Sequence, residues 1–296
     1  LVIEHQYIRR FSKKGDGEIK AMNMNQPSVE SVAIQKMNQN AVAAETDLVV
    51  VEEPLQLLVR FGAEHDRREK TLAITMRTPS HDAELAMGFL FTEGIIRHPR
   101  EVLNIRYCET VKPEERGNVL KIELSPDLAL DLDALERHFY TTSSCGICGK
   151  TSMEAVKTAQ CYQISPISDL ALDFLGALPQ KLEDAQTVFR YTGGIHAAAL
   201  FDLGGDLMMM REDIGRHNAL DKLIGAMLAQ GLLPTNRYVV LVSGRAGFEL
   251  VQKAAVAGIP ALVAIGAPSS LAVNLARSVG MQLYGFVRTN RANRYV

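Results

Sequence analysis

The residues best equipped for chemistry lie in one short segment, Thr141-Thr142-Ser143-Ser144-Cys145-Gly146-Ile147-Cys148-Gly149-Lys150. Cys145 and Cys148 are two thiols separated by two residues, in a small, polar, glycine-bearing stretch just before an expected helix. Backbone N–H groups at a helix start, with Lys150 near in sequence, favour the thiolate, which is the nucleophilic form. Flanking glycines let such a segment move and present its sulfur to a partner. A thiolate of this kind can accept a sulfur atom as a persulfide and pass it on. The pair could equally serve dithiol redox exchange, although the thioredoxin-like context is absent. Zinc is a third use, but a second CxxC is missing, and His196 and His217 stand far away without zinc-finger spacing. The thiols could also be small hydrophobes that only pack. Residue chemistry leaves all four uses open, with sulfur carriage modestly ahead. Cys108, at the end of an apolar strand, and Cys161, in a polar connection, read as inert packing residues.

A second constellation arises from topology. Ligands of open parallel sheets gather at the carboxyl ends of strands. Three such ends read Ser243-Gly244-Arg245-Ala246-Gly247, Gly266-Ala267-Pro268-Ser269-Ser270 and Arg288-Thr289-Asn290-Arg291-Ala292-Asn293-Arg294. The first two lead into helix N-termini, whose free N–H groups favour anions. The third adds guanidinium groups suited to bidentate phosphate binding. Together they point to a phosphorylated, nucleotide-like ligand; each loop alone reads as an ordinary turn. Neither a Walker loop nor a Rossmann fingerprint is present. His217 lies in Arg211-Glu212-Asp213-Ile214-Gly215-Arg216-His217-Asn218-Ala219-Leu220-Asp221-Lys222, against a helix that Asp213 or Asn218 could cap; it could be a proton donor or a ligand contact. His196, after Tyr191-Thr192-Gly193-Gly194-Ile195, could face the same cleft.

Two groups of elements must position these residues. Residues 1–46 are mostly polar and aperiodic, and read as a loosely ordered tail. Residues 47–140 form a small α+β unit. Its strands are expected at 47–52, 55–61, 71–77, 102–107 and 119–124, with helices from Ser80 as N-cap to about Gly94 and over 131–139. Residues 141–296 open on the CxxC loop and read as α/β. A hairpin (196–201 and 207–210) precedes a helix from about 218 to 229. Strands at 238–242, 261–265 and 282–287 then alternate with helices at 248–257 and 271–279. Continuous apolar strands with short links to helices indicate a buried parallel sheet covered by helices.

Composition sets the outer limits. In 296 residues, 47% hydrophobic and 22% charged, there is room for one large domain or two modest ones. A formal net charge of -2 argues against broad capture of nucleic acid or anionic lipid. No apolar run approaches a membrane span, and no leader pattern opens the chain. Four cysteines do not make a disulfide scaffold. The expectation is a cytoplasmic protein with no membrane or nucleic-acid partner. The chain opens on Leu1, which leaves Met22 and Met24 as alternative starts.

Several segments resemble the FdhD/NarQ family. They are Phe91-Thr92-Glu93-Gly94-Ile95-Ile96, the Cys145/Cys148 segment, Thr192-Gly193-Gly194-Ile195-His196-Ala197-Ala198-Ala199, Gly215-Arg216-His217-Asn218-Ala219-Leu220-Asp221-Lys222, Ser243-Gly244-Arg245 and Val251-Gln252-Lys253-Ala254. The resemblance runs in order from about residue 47 to 294. It implies a cytidine-deaminase-like, three-layer α/β domain preceded by the small α+β domain. It also implies sulfur transfer from a cysteine desulfurase to the molybdenum bis-guanine-dinucleotide cofactor, as an accessory to apo formate dehydrogenase, and it favours a homodimer. By the same resemblance Cys145 carries the persulfide and Cys148 is its companion. The cofactor-binding stretch falls on Phe286-Val287-Arg288-Thr289-Asn290-Arg291, where some relatives carry Lys-Pro-Gly before the final Arg. Deamination is not expected. It needs His-x-Glu and Pro-Cys-x-x-Cys elements, whereas Ser144 precedes Cys145 and none of the seven histidines has glutamate two residues later.

Overall fold

A computed structural model describes residues 26–39, 41–128 and 162–296 of the chain. Cys145, Cys148, Cys161 and the helix expected at 131–139 lie outside the described residues.

The first element differs from the expected tail. β1 (Val29–Asn38) and β2 (Ala41–Val50) pair antiparallel as a two-stranded ribbon, from Val29 opposite Val50 to Asn38 opposite Ala41. Asn and Gln mask the signal in composition, but Val29, Val32, Ile34, Val42, Val49 and Val50 supply the β-branched content that pairing rewards. Most of the ribbon is exposed, including Met37 at 76% and Val42 at 62%.

Next comes a four-stranded sheet in the order β4-β3-β6-β5, from β3 (Glu53–Phe61), β4 (Arg68–Arg77), β5 (Val102–Tyr107) and β6 (Val119–Leu124). Alternation along β3 buries Leu55, Leu57, Val59 and Phe61 on one face. Helix α1 (Asp82–Thr92) covers that face. Its N-cap is His81, in the left-handed region with φ 54°, rather than the expected Ser80. Ser80 has φ 137° and its hydroxyl meets His81 Nδ1 at 3.2 Å, so it offers no cap to the helix.

The second half is an α/β unit on a six-stranded sheet in the order β12-β11-β10-β9-β7-β8. The strands are β7 (His196–Asp202), β8 (Leu207–Asp213), β9 (Tyr238–Val242), β10 (Ala261–Ala264), β11 (Gln282–Arg288) and β12 (Arg291–Arg294). Only β9, β10 and β11 run parallel, so the expected parallel sheet is the centre of a mixed one. Two helices that hydrophobic runs alone did not mark, α2 (Leu172–Ala185) and α3 (Thr187–Thr192), precede β7. Leu175, Leu178 and Leu182 of α2 pack on Ala197, Ala199, Phe201, Leu241 and Val263. The opposite face of the same strands, Ala198, Leu200, Val240, Val242 and Leu262, meets α4 (Arg216–Ala229), α5 (Phe248–Val256) and α6 (Ser270–Val279). Helices on both faces make three layers, which is why these strands read as unbroken apolar runs.

Helix α4 is buried along nearly its whole length because α1 lies on its outer side. The two helices approach backbone to backbone. A Cβ on Gly88 would sit 1.8 Å from Asp221 O, and one on Gly225 would sit 1.9 Å from Glu84 O. The small sheet, α1, α4 and the large sheet therefore share one continuous core. Buried polar groups are paired across this junction. Lys253 Nζ lies 2.8 Å from Asp221 Oδ2 and donates to Thr92 Oγ1 at 3.0 Å and Glu93 Oε1 at 3.2 Å, while Thr92 Oγ1 donates to Asp221 Oδ1 at 2.8 Å. Lys222 Nζ lies 2.7 Å from Asp213 Oδ2 and donates to Thr78 O at 2.9 Å. No helix among the described residues is long and apolar enough to cross a membrane.

Candidate functional site

The carboxyl ends of the parallel strands are stitched together beyond the strands themselves. Ile265 N donates to Val242 O, Gly266 N to Gly244 O, Phe286 N to Gly266 O, and Ala246 N to Ala267 O. The loops pass so close that a Cβ on Gly266 would meet Gly244 O at 2.8 Å and the Arg245 backbone at 2.9 Å. Glycine at position 266 is thus a condition of this edge.

A cavity of about 720 Å³ opens along that edge. The strand ends contribute Ser243, Ile265 and Arg288; His196 opens β7 with Ile195 just before it, and the β8–α4 link brings Ile214. The remaining wall comes from α2 and α3, with Glu183, Gln186 and Phe189, and from Gly193 and Gly194. The structure therefore unites Ser243, Arg288 and His196 of the expected residues. Sequence reasoning did not find Glu183, Gln186 and Phe189, because they ride on helices it did not assign. The leucines 172, 175, 178 and 182 recur at helical spacing and were the available signal, interrupted by Pro179 inside the helix.

Ser243 closes β9 onto β7: its N–H donates to Ala197 O and its Oγ accepts from Ala197 N, both at 2.9 Å. His196 Nδ1 lies 3.5 Å from the same Oγ. Burial, followed by the Arg216 charge, holds the His196 imidazole below its ordinary pKa, against the pull of Asp213, and so favours the neutral ring. Gln186 is 4% exposed and donates through Nε2 to Glu212 Oε1 at 3.3 Å. Glu212 also accepts from Val188 N and Phe189 N at the start of α3, while burial pushes its carboxyl above the usual range. This arrangement fixes the orientation of the Gln186 amide at the cavity wall.

Other expected residues fall elsewhere. His217 does not line the cavity. It sits in the first turn of α4, with Nε2 3.4 Å from Glu249 Oε2. Burial, then the charges of Arg216 and Lys253 and the nearby His196, lower its pKa to about 3, so it is a neutral partner of Glu249. Helix α4 begins at Gly215 as N-cap, and neither Asp213 nor Asn218 caps it. Asp213 Oδ1 instead accepts from Gly215 N at 2.8 Å and Asn218 Nδ2 at 3.2 Å, which shapes the link holding Ile214.

The stretch 286–291 is a tight hairpin corner rather than an open basic loop. Arg288 pairs with Arg291 across Thr289 and Asn290, and β12 follows. Phe286 is exposed at 38%, with φ 53°, a conformation rare for an aromatic residue, next to the irregular register between Gly285 and Arg288. Val287 is buried in the core against α2, so its side chain is withdrawn from any ligand. Arg288 Nη1 donates to Ile265 O at 2.8 Å and Val287 O at 2.7 Å, and Arg294 Nη1 lies 2.6 Å from Asp169 Oδ2. Arg245 and Arg291 are exposed. Among the described residues, Cys108 is the free thiol; it is half-buried, outside the core clusters, with its Sγ 3.5 Å from Thr110 Oγ1. No group of three or more metal-ligating side chains occurs among the described residues.

The chain has many relatives. The sulfur carrier protein FdhD of Streptomyces avermitilis is 48% identical over 264 residues, covering 88% of this chain and 91% of that protein. The protein of the same name from Mycolicibacterium paratuberculosis is 48% identical over 257 residues, covering 85% of this chain and 91% of the relative. A crystal structure assigned as a formate dehydrogenase accessory protein, from Desulfotalea psychrophila, superposes with a TM-score of 0.65 at 22% identity, over 91% of this chain and 97% of that one. That likeness shows the shared α/β fold. Residues 50–296 match the family described as FdhD/NarQ. With a cavity at the sheet edge, a CxxC segment and relatives of this identity along most of its length, the chain belongs to the FdhD/NarQ family.

Proposed function

We propose that this chain is a sulfur carrier that takes sulfur from a cysteine desulfurase and delivers it to a guanine-dinucleotide molybdenum cofactor destined for apo formate dehydrogenase. The observation that carries the proposal is the 44–48% identity to proteins named sulfur carrier protein FdhD, in a chain that holds the paired thiols Cys145 and Cys148. In the first step the Cys145 thiolate attacks the outer sulfur of the desulfurase persulfide. The donor S–S bond breaks, the donor cysteine leaves as thiolate, and the persulfide now stands on Cys145. Cys148 assists by resolving or tuning that persulfide.

The cavity at the strand ends supports the other half of the proposal. Its position matches the place where α/β sheets take nucleotide-like ligands. Ser243 and Arg288 line it, and Arg245 on the loop after β9 and Arg291 at the start of β12 are exposed at the same edge, available for phosphate oxygens. Phe286 exposes its ring there, and the backbone of 286–291 forms the corner itself.

Incubation with a cysteine desulfurase and cysteine, followed by intact mass measurement, tests the carrier role. Wild type is expected to gain the mass of one sulfur atom, lost again on reduction, and Cys145→Ala to gain none. An unmodified wild type, or an equal gain on Cys145→Ala, would leave a chaperone that only holds the cofactor.

A further inference from the structure

We infer that Glu183 and Gln186 read the guanine base of the bound nucleotide, and that the ligand lies with its base toward α2 and α3 and its phosphates toward the strand-end loops. The inference rests on the reading of the cavity as the nucleotide site, and adds which end takes the base and what distinguishes it.

The two ends of the cavity differ in chemistry. At the strand ends stand Ser243 and Arg288, a hydroxyl and a cation. At the α2–α3 end stand a carboxylate, an amide and an exposed aromatic ring: Glu183, Gln186 and Phe189, the last 37% exposed. The Glu183 carboxylate has no hydrogen-bond or ion-pair partner among the described residues. The Gln186 side chain is buried and its Nε2 is committed to Glu212, which as a carboxylate only accepts. That bond uses one of the two Nε2 hydrogens and leaves the carbonyl Oε1 as an uncommitted acceptor. This end of the cavity thus offers acceptors and a flat apolar face.

Guanine presents N1–H and the N2 amino group side by side, two donors that a carboxylate can take together. Adenine presents an acceptor at N1 beside its amino group, which would set lone pair against lone pair. Hypoxanthine keeps N1–H and loses the amino group. A carboxylate on this wall, Glu183, therefore favours guanine first, hypoxanthine second and adenine last, while the Phe189 ring stacks on any base without choosing among them.

Calorimetry with GDP, inosine diphosphate and ADP on wild type, Glu183→Gln and Phe189→Leu tests the assignment. Loss of a hydrogen bond to a charged group should weaken GDP by roughly ten- to a hundredfold in Glu183→Gln. The wild-type preference for GDP over inosine diphosphate should shrink toward parity in the same variant. Phe189→Leu should weaken all three nucleotides alike and keep their order. A Glu183→Gln protein that retains the full preference, or a wild type that binds GDP and inosine diphosphate equally, overturns the assignment and leaves the cavity reading in place. A wild type that binds none of the three overturns both.

Discussion

Replacing Lys222 by methionine should destabilise the protein by about 3 kcal/mol, close to the lower end of the ~3–5 kcal/mol typical when one partner of a buried ion pair is removed. The side chains of Lys222 and Asp213 are fully buried, with Nζ 2.7 Å from Oδ2. Methionine fills most of the volume but leaves the Asp213 carboxylate without its cation. The carboxylate keeps three N–H donors, from Thr78 N, Gly215 N and Asn218 Nδ2, which is why the cost should sit low in the range. Lys222 also satisfies the carbonyls of Thr78 and Glu212, so its loss loosens the seam between the small unit and the large sheet. Against a total stability of about 5–15 kcal/mol the change is large. Urea unfolding followed by circular dichroism measures it, with Asp213→Asn and the double variant completing a cycle. The double variant should be less damaged than the sum of the singles by at least ~2 kcal/mol, since each single leaves a stranded charge that the other removes. A Lys222→Met protein within about 1 kcal/mol of wild type, or strictly additive singles, would refute this account.

Gly88→Ala should destabilise by at least about 1 kcal/mol net, even though alanine is the better helix former by roughly that amount. Its Cβ would lie 1.8 Å from Asp221 O, backbone that cannot yield without separating α1 from α4, and thermal unfolding would register the change. Gly176→Ala acts on the site instead: its Cβ would lie 2.1 Å from Thr289 O in the hairpin corner. GDP affinity should fall more than thermal stability does, and the reverse order would count against the placement of 286–291. His217 predicts a pH effect. Its folded pKa is lowered to about 3, while the unfolded value is near 6.5, so the unfolded chain binds the extra proton between these values. The stability present above about pH 6.5 is therefore lost as pH falls toward 3, at up to about 1.4 kcal/mol per pH unit. In denaturant titrations from pH 7.5 to 5, His217→Gln should show the flatter dependence, and parallel curves would contradict the half-buried, neutral imidazole.

Much of this protein was fixed by local pattern. The apolar runs at β7, β9, β10 and β11 fell where expected within a residue or so, and the Gly204-Gly205 turn joined β7 to β8. Such runs are legible because burial on both faces of a sheet demands hydrophobic residues at every position. Residues near strand ends, Ser243 and Arg288 among them, were also accessible to a sequence argument, because topology alone places ligands there.

Tertiary structure decided the rest. The ribbon at 29–50 exists through cross-strand pairing, which a polar composition hides. Glu183, Gln186 and Phe189 became cavity residues only when α2 docked on the sheet and α3 turned back toward β7. In sequence, His217 read as a proton donor or ligand contact and Asp213 as a helix cap, while Asp221, Lys222 and Lys253 stood in the shared motifs with no role assigned. The fold spends the last four on buried ion pairs between layers, and turns His217 from the cavity to Glu249. A one-dimensional pattern reports how often a residue faces a core. Whether a buried charge meets its counter-charge or a ligand depends on which helix lies across from it, and only the packed chain supplies that neighbour.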